Sequence, residues 1–411
     1  MKCRHCQCQV TLPLIDLGSA PPSNAYLTQV SLRRAEPWFP LRVVVCESCW
    51  LVQAEAYSQA SELFDEDYAY FSSFSTEWLQ HAETYVATMT DRFGLTPESC
   101  VVEVASNDGY LLQYVKQRGM RCLGIEPTAS TAAASRLKGI ETIEEFFGVE
   151  LATQLAAKGW QADLTAANNV LAHVPDINDF AAGFAILLKP DGVATFEFPH
   201  LINLIEGNQF DTIYHEHFSY LSLTTVRTVF AASGLQVFDV EEHPTHGGSL
   251  RVFAQRVDTG TRAATPRLLA LLEREHASGL HSAAYYAGFQ SRAERVKDDL
   301  LAFLIEAKRR GAKVAAYGAA AKGNTLLNFA GIRPDLISFV VDRNPAKQNK
   351  FMPGSRIPIV DEARLLADQP DYVVILPWNL KAEVVQQLAY IKNWGGTFVT
   401  AVPDLQMEPA S

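Results

Sequence analysis

Five of the seven cysteines lie in the first 49 residues, as Cys3-x-x-Cys6-x-Cys8 and Cys46-x-x-Cys49. In a reducing compartment such clusters suit a metal ion better than disulfides. Two Cys-x-x-Cys knuckles place four thiolates at the corners of a tetrahedron, the geometry Zn²⁺ takes at about 2.3 Å per ligand. Cys3, Cys6, Cys46 and Cys49 are therefore the expected ligands of a structural zinc, with Cys8 a spare or alternate. Free thiols or a redox pair are the alternative, but one redox knuckle leaves the other unexplained. Cys100 and Cys122 sit by apolar strands and read as small core residues.

A second group begins at Val101-Val-Glu-Val-Ala-Ser-Asn-Asp-Gly109. An apolar strand runs into a small polar turn and then a helix, and open α/β sheets bind ligands at such turns. The dinucleotide pattern G-x-G-x-x-G is absent, which disfavours NAD. The next strand ends at Gly124-Ile-Glu126-Pro127, where an acidic side chain can accept two ribose hydroxyls. A solvated strand end is the plain alternative for Glu126. Glu103 suits the cationic end of an amino acid. Together these features point to S-adenosylmethionine (SAM). Its expected wall is Glu103, Ala105, Asn107, Glu126 and Pro127, with Phe146 of Glu144–Phe147 bordering the adenine. Asn168, Asn169 and His173 fall on the rim at a later strand end.

The third group is Phe210-Asp-Thr-Ile-Tyr214-His215-Glu216-His217-Phe-Ser-Tyr220. Its histidine spacing is not that of H-E-x-x-H. Three uses are open: a metal pair, a satisfied core histidine, or a general base. An unperturbed imidazole of pKa about 6.5 suits the last. A fourth segment, Val314 to Asn324, passes from strand through a Gly/Ala turn to a helix. Its N–H groups at Gly318 and Ala319, with Lys322 and Asn324, can cradle a pyrophosphate, although the Walker order is missing and a plain turn is the alternative. The loop His246-Gly247-Gly248 brings backbone close to a substrate.

Elements must hold these groups in place. The gap between the knuckles needs a small sheet, and Leu14–Leu17 and Leu41–Val45 can form it. Thr76–Phe93 has the period of an amphipathic helix. From Cys100 to Gln255 short apolar runs alternate with helical stretches, which predicts a doubly wound α/β sheet. Residues 261–310 read as mostly helical. The α/β alternation then restarts at Lys313 as a second Rossmann-like region. The expected division is a zinc-binding domain with a trailing loop at 1–75, an α/β domain at 76–260, and a helical connector with the second α/β domain at 261–411. A length of 411 residues supports two or three domains.

Composition narrows the class. Hydrophobic residues make up 48% and charged residues 20%, as in a globular protein. The net charge of −11 disfavours a general nucleic-acid binder. No run is long enough to span a bilayer, and the N-terminus lacks a signal-peptide core, so a cytoplasmic chain with no membrane or nucleic-acid partner is expected.

Taken in order, the motifs are similar to those of the sugar C-methyltransferases of deoxysugar biosynthesis. The resemblance spans nearly the whole chain. It includes both cysteine knuckles, Leu17-Gly18 with Pro21-Pro22-Ser23-Asn24-Ala25, and Asp67-Tyr68-Ala-Tyr70 with Ser72-Ser73. It continues through Glu103…Ser106-Asn-Asp-Gly109, Gly124-Ile-Glu-Pro127, Asn169…His173-Val-Pro and Glu216-His217-Phe218. It ends with His246-Gly-Gly248, Tyr317-Gly-Ala-Ala-Ala-Lys322 and Asp342…Lys347-Gln-Asn349. Ala105 departs from the pattern, standing where the family often carries Gly, and His215 falls at a variable position.

The resemblance implies a class I SAM methyltransferase core between a zinc-binding domain and a C-terminal Rossmann-like domain. The implied reaction methylates C3 of a TDP-linked 4-keto-6-deoxyhexose through an enolate. It implies His217 as the base and Glu216 as the group that orients it or raises its basicity. Tyr214 and Tyr68 then hydrogen-bond the oxyanion or nearby hydroxyls, and His173 shares proton handling. Tyr70, Ser72, Ser73, Gly247, Gly318, Ala319, Lys322 and Asn324 are the implied substrate contacts. A monomer or weak homo-oligomer is expected. A zinc-containing RNA or protein methyltransferase and a non-catalytic SAM-binding protein are the competing classes.

Overall fold

The computed structural model describes residues 1–55, 57 and 71–409. Tyr68 and Tyr70 lie outside the described residues. The first sheet takes β1 (Leu12–Ala20), β2 (Phe39–Val45) and β3 (Val52–Ala54) from the N-terminal region; the first two are longer than the sequence suggests and the third is additional. Helix α1 (Thr76–Phe93) begins on Ser75, whose side chain accepts from the Trp78 N–H, and ends at Gly94 in the left-handed conformation. The central domain continues with β4 (Cys100–Val104), α2 (Leu112–Gln117), β5 (Arg121–Ile125), α3 (Ala129–Leu137), β6 (Thr142–Ile143) and α4 (Val149–Ala157). It is completed by β7 (Ala162–Asn168), α5 (Ile177–Leu187), β8 (Leu188–Pro199), α6 (Leu201–Glu206), β9 (Ser219–Tyr220), α7 (Leu223–Ala232), β10 (Leu235–His243) and β11 (Ser249–Arg256).

The connector is α8 (Pro266–Ser278), α9 (Ala283–Tyr286) and α10 (Phe289–Arg309). The last domain holds β12 (Val314–Tyr317), α11 (Ala321–Phe329), β13 (Val340–Val341), β14 (Ile359–Val360) and α12 (Ala363–Asp368). It ends with β15 (Tyr372–Ile375), α13 (Lys381–Gln387), β16 (Thr397–Thr400) and β17 (Gln406–Pro409).

The central sheet runs β10-β11-β8-β7-β4-β5-β6. Strands β6, β5, β4, β7 and β8 are parallel, while β11 enters antiparallel between β8 and β10. The winding reverses between β4 and β7, so their carboxyl ends open the crevice where such sheets bind ligands. The C-terminal sheet, β14-β13-β12-β15-β16-β17, reverses between β12 and β15. After β15, Trp378 reaches the central domain and packs on Gly247.

The small sheet links the two α/β domains. Its order is β1-β2-β3-β9, and β9 belongs in sequence to the central domain. Val52 pairs with Tyr220 and Gln53 with Ser219, directly after His217. Leu14, Leu17, Val43 and Val45 pack into one core with Leu326, Leu327 and Val340 of the C-terminal domain. Cys3, Cys46, Cys49 and Leu51 pack instead with Phe180, Phe184 and Val226 of the central domain. A strand's alternating faces thus glue the N-terminal sheet to both neighbours.

Candidate active site

The four knuckle cysteines meet. Their sulfurs all lie within 4.8 Å of one another, with Cys3–Cys49 and Cys6–Cys46 each at 3.5 Å. Sulfurs at tetrahedral corners, about 2.3 Å from a zinc ion, stand roughly 3.8 Å apart. The donor set therefore fits Zn²⁺ with no ligand position left open. The knuckles repeat one backbone pattern: the Cys3 and Cys46 N–H groups donate to the Cys8 and Leu51 carbonyls, and Gln7 and Trp50 both have φ of 61°. Cys8 is exposed and stands outside the cluster.

The cofactor wall forms at the carboxyl ends of β4, β5 and β7. Glu103 is 0% exposed, and neither carboxylate oxygen has a hydrogen-bond partner among the described residues. Burial raises its carboxyl well above the ordinary range. A buried acid left this way fits a ligand cation, as the amino group of SAM supplies. Glu126 accepts from the N–H groups of Asn107 and Thr128, both at 2.9 Å, which aims the carboxylate across the turn. Asn168 donates to the Tyr110 hydroxyl at 3.3 Å and keeps its amide oxygen unpaired. Pro127 follows Glu126 into the loop before α3, and Phe146 is 57% exposed beyond β6.

Ala105 and Asn107 have φ of 57° and 50°. A β-carbon in this left-handed region costs roughly 1–2 kcal/mol, which explains why glycine suits position 105. Ser72 and Ser73 reach this wall. The Ser72 N–H donates to the Asn107 side chain at 2.9 Å, and Lys138 joins the Ser73 hydroxyl at 2.7 Å to Asp108 at 3.2 Å. Both serines therefore stand beside the turn that follows β4.

The histidine segment lines the adjoining crevice. The His217 ring lies 4.0 Å from Tyr214 and 4.6 Å from His173, centroid to centroid. His217 Nδ1 is 3.0 Å from the Thr212 carbonyl oxygen, so Nδ1 carries the proton and Nε2 is the basic atom. Burial, then the charges that His173, His246 and Lys322 can bear, hold its pKa well below the ordinary value. His173 is lowered to about 4 by burial.

Glu216 does not orient His217. Its carboxylate is turned to the N-terminal domain and accepts from Asn24 at 3.1 Å, and the Thr212 carbonyl does the orienting. Backbone carbonyls carry no side-chain signature, so the sequence could not reveal this partner.

The anion cradle also changes. The Ala319 N–H donates to the Asp342 carboxylate at 2.8 Å, so it is not available to a phosphate. Asn324 is buried and donates to the Ser23 carbonyl at 2.6 Å, pinning the N-terminal domain. Gly318 has φ of 89°, and a β-carbon there would fall 2.5 Å from the Pro377 ring. Lys322 turns the other way. Its ammonium meets Asn379 at 2.6 Å and sits 4.6 Å over the Trp378 ring.

Trp378 is the joint that sequence reading missed. Its indole N–H donates to Asp211 at 2.8 Å, and a β-carbon on Gly247 would lie 2.5 Å from its ring. Trp78 was legible only as a helix position, yet it stacks on Tyr110 at 5.8 Å and touches His246 at 5.4 Å. His246 in turn meets the Asn169 amide at 3.2 Å.

A doubly wound sheet with buried acids at the switch point, beside a four-thiolate centre, defines a SAM-dependent class I methyltransferase with a zinc-binding domain. Three family models match: the zinc binding domain at residues 3–64, the methyltransferase domain at 78–240 and the C-methyltransferase C-terminal domain at 244–403. The chain is 35% identical to C-methyltransferase NovU of Streptomyces niveus over 403 residues, covering 98% of this chain and 96% of that protein. It belongs to the C-methyltransferase family.

Among solved structures it is similar to magnesium protoporphyrin IX methyltransferase of Synechocystis PCC 6803, with 16% identity, TM-score 0.34 and coverage of 43% of this chain and 79% of that one. Another is the PH0226 protein of Pyrococcus horikoshii OT3, at 13% identity, TM-score 0.37 and coverage of 46% and 95%. No helix among the described residues is long and apolar enough to cross a membrane.

Proposed function

We propose that this protein transfers the methyl group of SAM to carbon C3 of a TDP-linked 4-keto-6-deoxyhexose. The observation that carries this reading is His217, a buried neutral imidazole with Nδ1 tied to Thr212 and Nε2 left to act as the base. Carbon methylation needs a carbon nucleophile, and a ketone supplies one by acidifying the neighbouring C–H. SAM, when bound, supplies an electrophilic methyl on a sulfonium.

His217 Nε2 removes the C3 proton, and the electron pair passes to the C4 oxygen as an enolate. The enolate carbon would take the methyl that SAM supplies, the S–C bond breaking with its electron pair left on sulfur as S-adenosylhomocysteine, while the ketone re-forms. Glu103 holds the cationic amino end of SAM, Glu126 its ribose, and Asn168 and Asn169 border it. Tyr214 stands against His217 on the substrate side. The family relation supports carbon rather than oxygen or nitrogen as the acceptor. The net charge of −11 counts against an RNA substrate.

The test is purified protein with SAM and TDP-4-keto-6-deoxyglucose, followed by proton NMR. The expected product shows a new methyl signal on C3 and loss of the C3 proton. C5 also flanks the ketone, so a methyl there overturns the position while keeping the chemistry. No methylated sugar overturns the substrate.

A further inference from the structure

The C-terminal domain's Lys322 has no ion pair to a carboxylate among the described residues; its ammonium meets an amide and a ring face, with the buried Asp211 reached only through Trp378. A half-buried ammonium held this way is fixed in place for a ligand. Its surroundings say which part of the ligand. Trp378, beneath it, joins Asp211 through the indole N–H. Asp211 directly precedes Thr212, whose carbonyl holds His217. Trp378 also packs on Gly247, next to His246 of the central domain. Asp211 is fully buried with one oxygen unpartnered. Lys322 is therefore tied through Trp378 and Asp211 to the segment that holds the base, and not to the turn at Ala319, where Asp342 already occupies the amide.

We propose that Lys322 is a catalytic residue that receives the developing enolate oxygen of the substrate, with Asn379 and Trp378 as its positioning residues. This rests on the reading of the reaction given above. As His217 Nε2 takes the C–H proton, the bonding pair forms the carbon–carbon double bond, and the carbonyl pair moves onto oxygen. The Lys322 ammonium donates a hydrogen bond to that oxygen without losing its proton. The carbon–carbon double-bond pair would then form the bond to the methyl that SAM supplies, the S–C pair staying on the departing S-adenosylhomocysteine sulfur, while an oxygen pair re-forms the ketone and the hydrogen bond is released. The proton on His217 then leaves to solvent. Asp211 balances the ammonium between turnovers, because the Lys322 charge and the burial of the carboxyl oppose each other there.

The test separates an oxyanion role from diphosphate binding. For wild type, Lys322→Met and Lys322→Arg, three quantities are measured with TDP-4-keto-6-deoxyglucose. They are kcat, the inhibition constant of TDP, and the rate at which the substrate C–H exchanges with D₂O in the absence of SAM. Lys322→Met is expected to lower kcat and exchange together by about 10²–10³-fold, the usual loss for an oxyanion donor, with TDP inhibition essentially unchanged. Lys322→Arg restores part of both rates.

A rise in the TDP constant that matches the fall in kcat assigns the cation to the diphosphate and overturns the proposal. Unchanged kcat and exchange overturn it too. If Lys322→Met loses its folded circular dichroism, Asn379→Ala takes its place. That variant keeps the charge and frees its tether, so it should slow exchange with TDP inhibition unchanged, and full exchange overturns the proposal. A wild type that neither methylates nor exchanges this sugar defeats the reaction itself, a result distinct from an active wild type with an active Lys322→Met.

Discussion

His217 Nδ1 and the Thr212 carbonyl oxygen stand 3.0 Å apart, and this contact fixes the tautomer of the candidate base. A carbonyl accepts only, so the ring must donate from Nδ1. The lone pair on Nε2 is the one left to take a proton.

His217→Asn should lower the methylation rate by about 10²–10⁴-fold, the range for losing a general base, while SAM affinity stays near wild type. The pH profile carries a sign. The pKa is held well below 6.5 by burial and then by the neighbouring His173, His246 and Lys322, with Thr212 opposing. A base is active above its pKa, so kcat/KM should stay flat as pH falls through 6.5 and drop only at lower pH. A drop centred at 6.5 would remove His217 from this role.

Glu103 should bind SAM as an anion, yet burial favours its protonated form in the free protein. SAM affinity should therefore rise with pH above the ordinary carboxylate range, and binding should release protons. Calorimetry in buffers of different ionisation enthalpy measures this. Glu103→Gln should weaken SAM by roughly 10- to 150-fold, from the 1.5–3 kcal/mol of a charged hydrogen bond, and should abolish the proton release.

Metal analysis should find one zinc per chain. Cys46→Ser should lose it, and Cys8→Ser should keep it, since Cys8 stands outside the sulfur cluster. Chelation should destabilise the N-terminal sheet first, because those cysteines pack under the central domain. Retained zinc in Cys46→Ser would refute the four-thiolate site.

Ala105→Gly should stabilise the protein by up to about 1 kcal/mol, because glycine tolerates the left-handed conformation at no steric cost. The Ala105 φ of 57° is the source of the strain. Urea unfolding of the central domain compares the two proteins, and a destabilised variant would contradict the conformation.

Much of this protein was legible in its amino-acid order. The helix Thr76–Phe93 and strand Arg121–Ile125 match their apolar periods residue for residue, because local repeats and caps encode them. The knuckle cysteines were legible because a tetrahedral thiolate set has a fixed local spacing. Glu103 and Glu126 were legible because a buried acid at a strand end is chemically out of place. The short strands Val52–Ala54 and Ser219–Tyr220 were not, since the first is held between Phe39–Val45 and the second, and the second exists only by pairing with the first across the domain boundary.

The same limit governs the site's working contacts. Residue order supplied the side-chain types for zinc, SAM and proton removal. Packing in three dimensions is what makes Thr212 rather than Glu216 hold His217, gives Glu216 to Asn24, and fills the turn at Ala319 with Asp342. Those contacts join residues far apart in the chain or act through backbone atoms that every residue shares. Their geometry is set by how three sheets pack, and no local pattern records it.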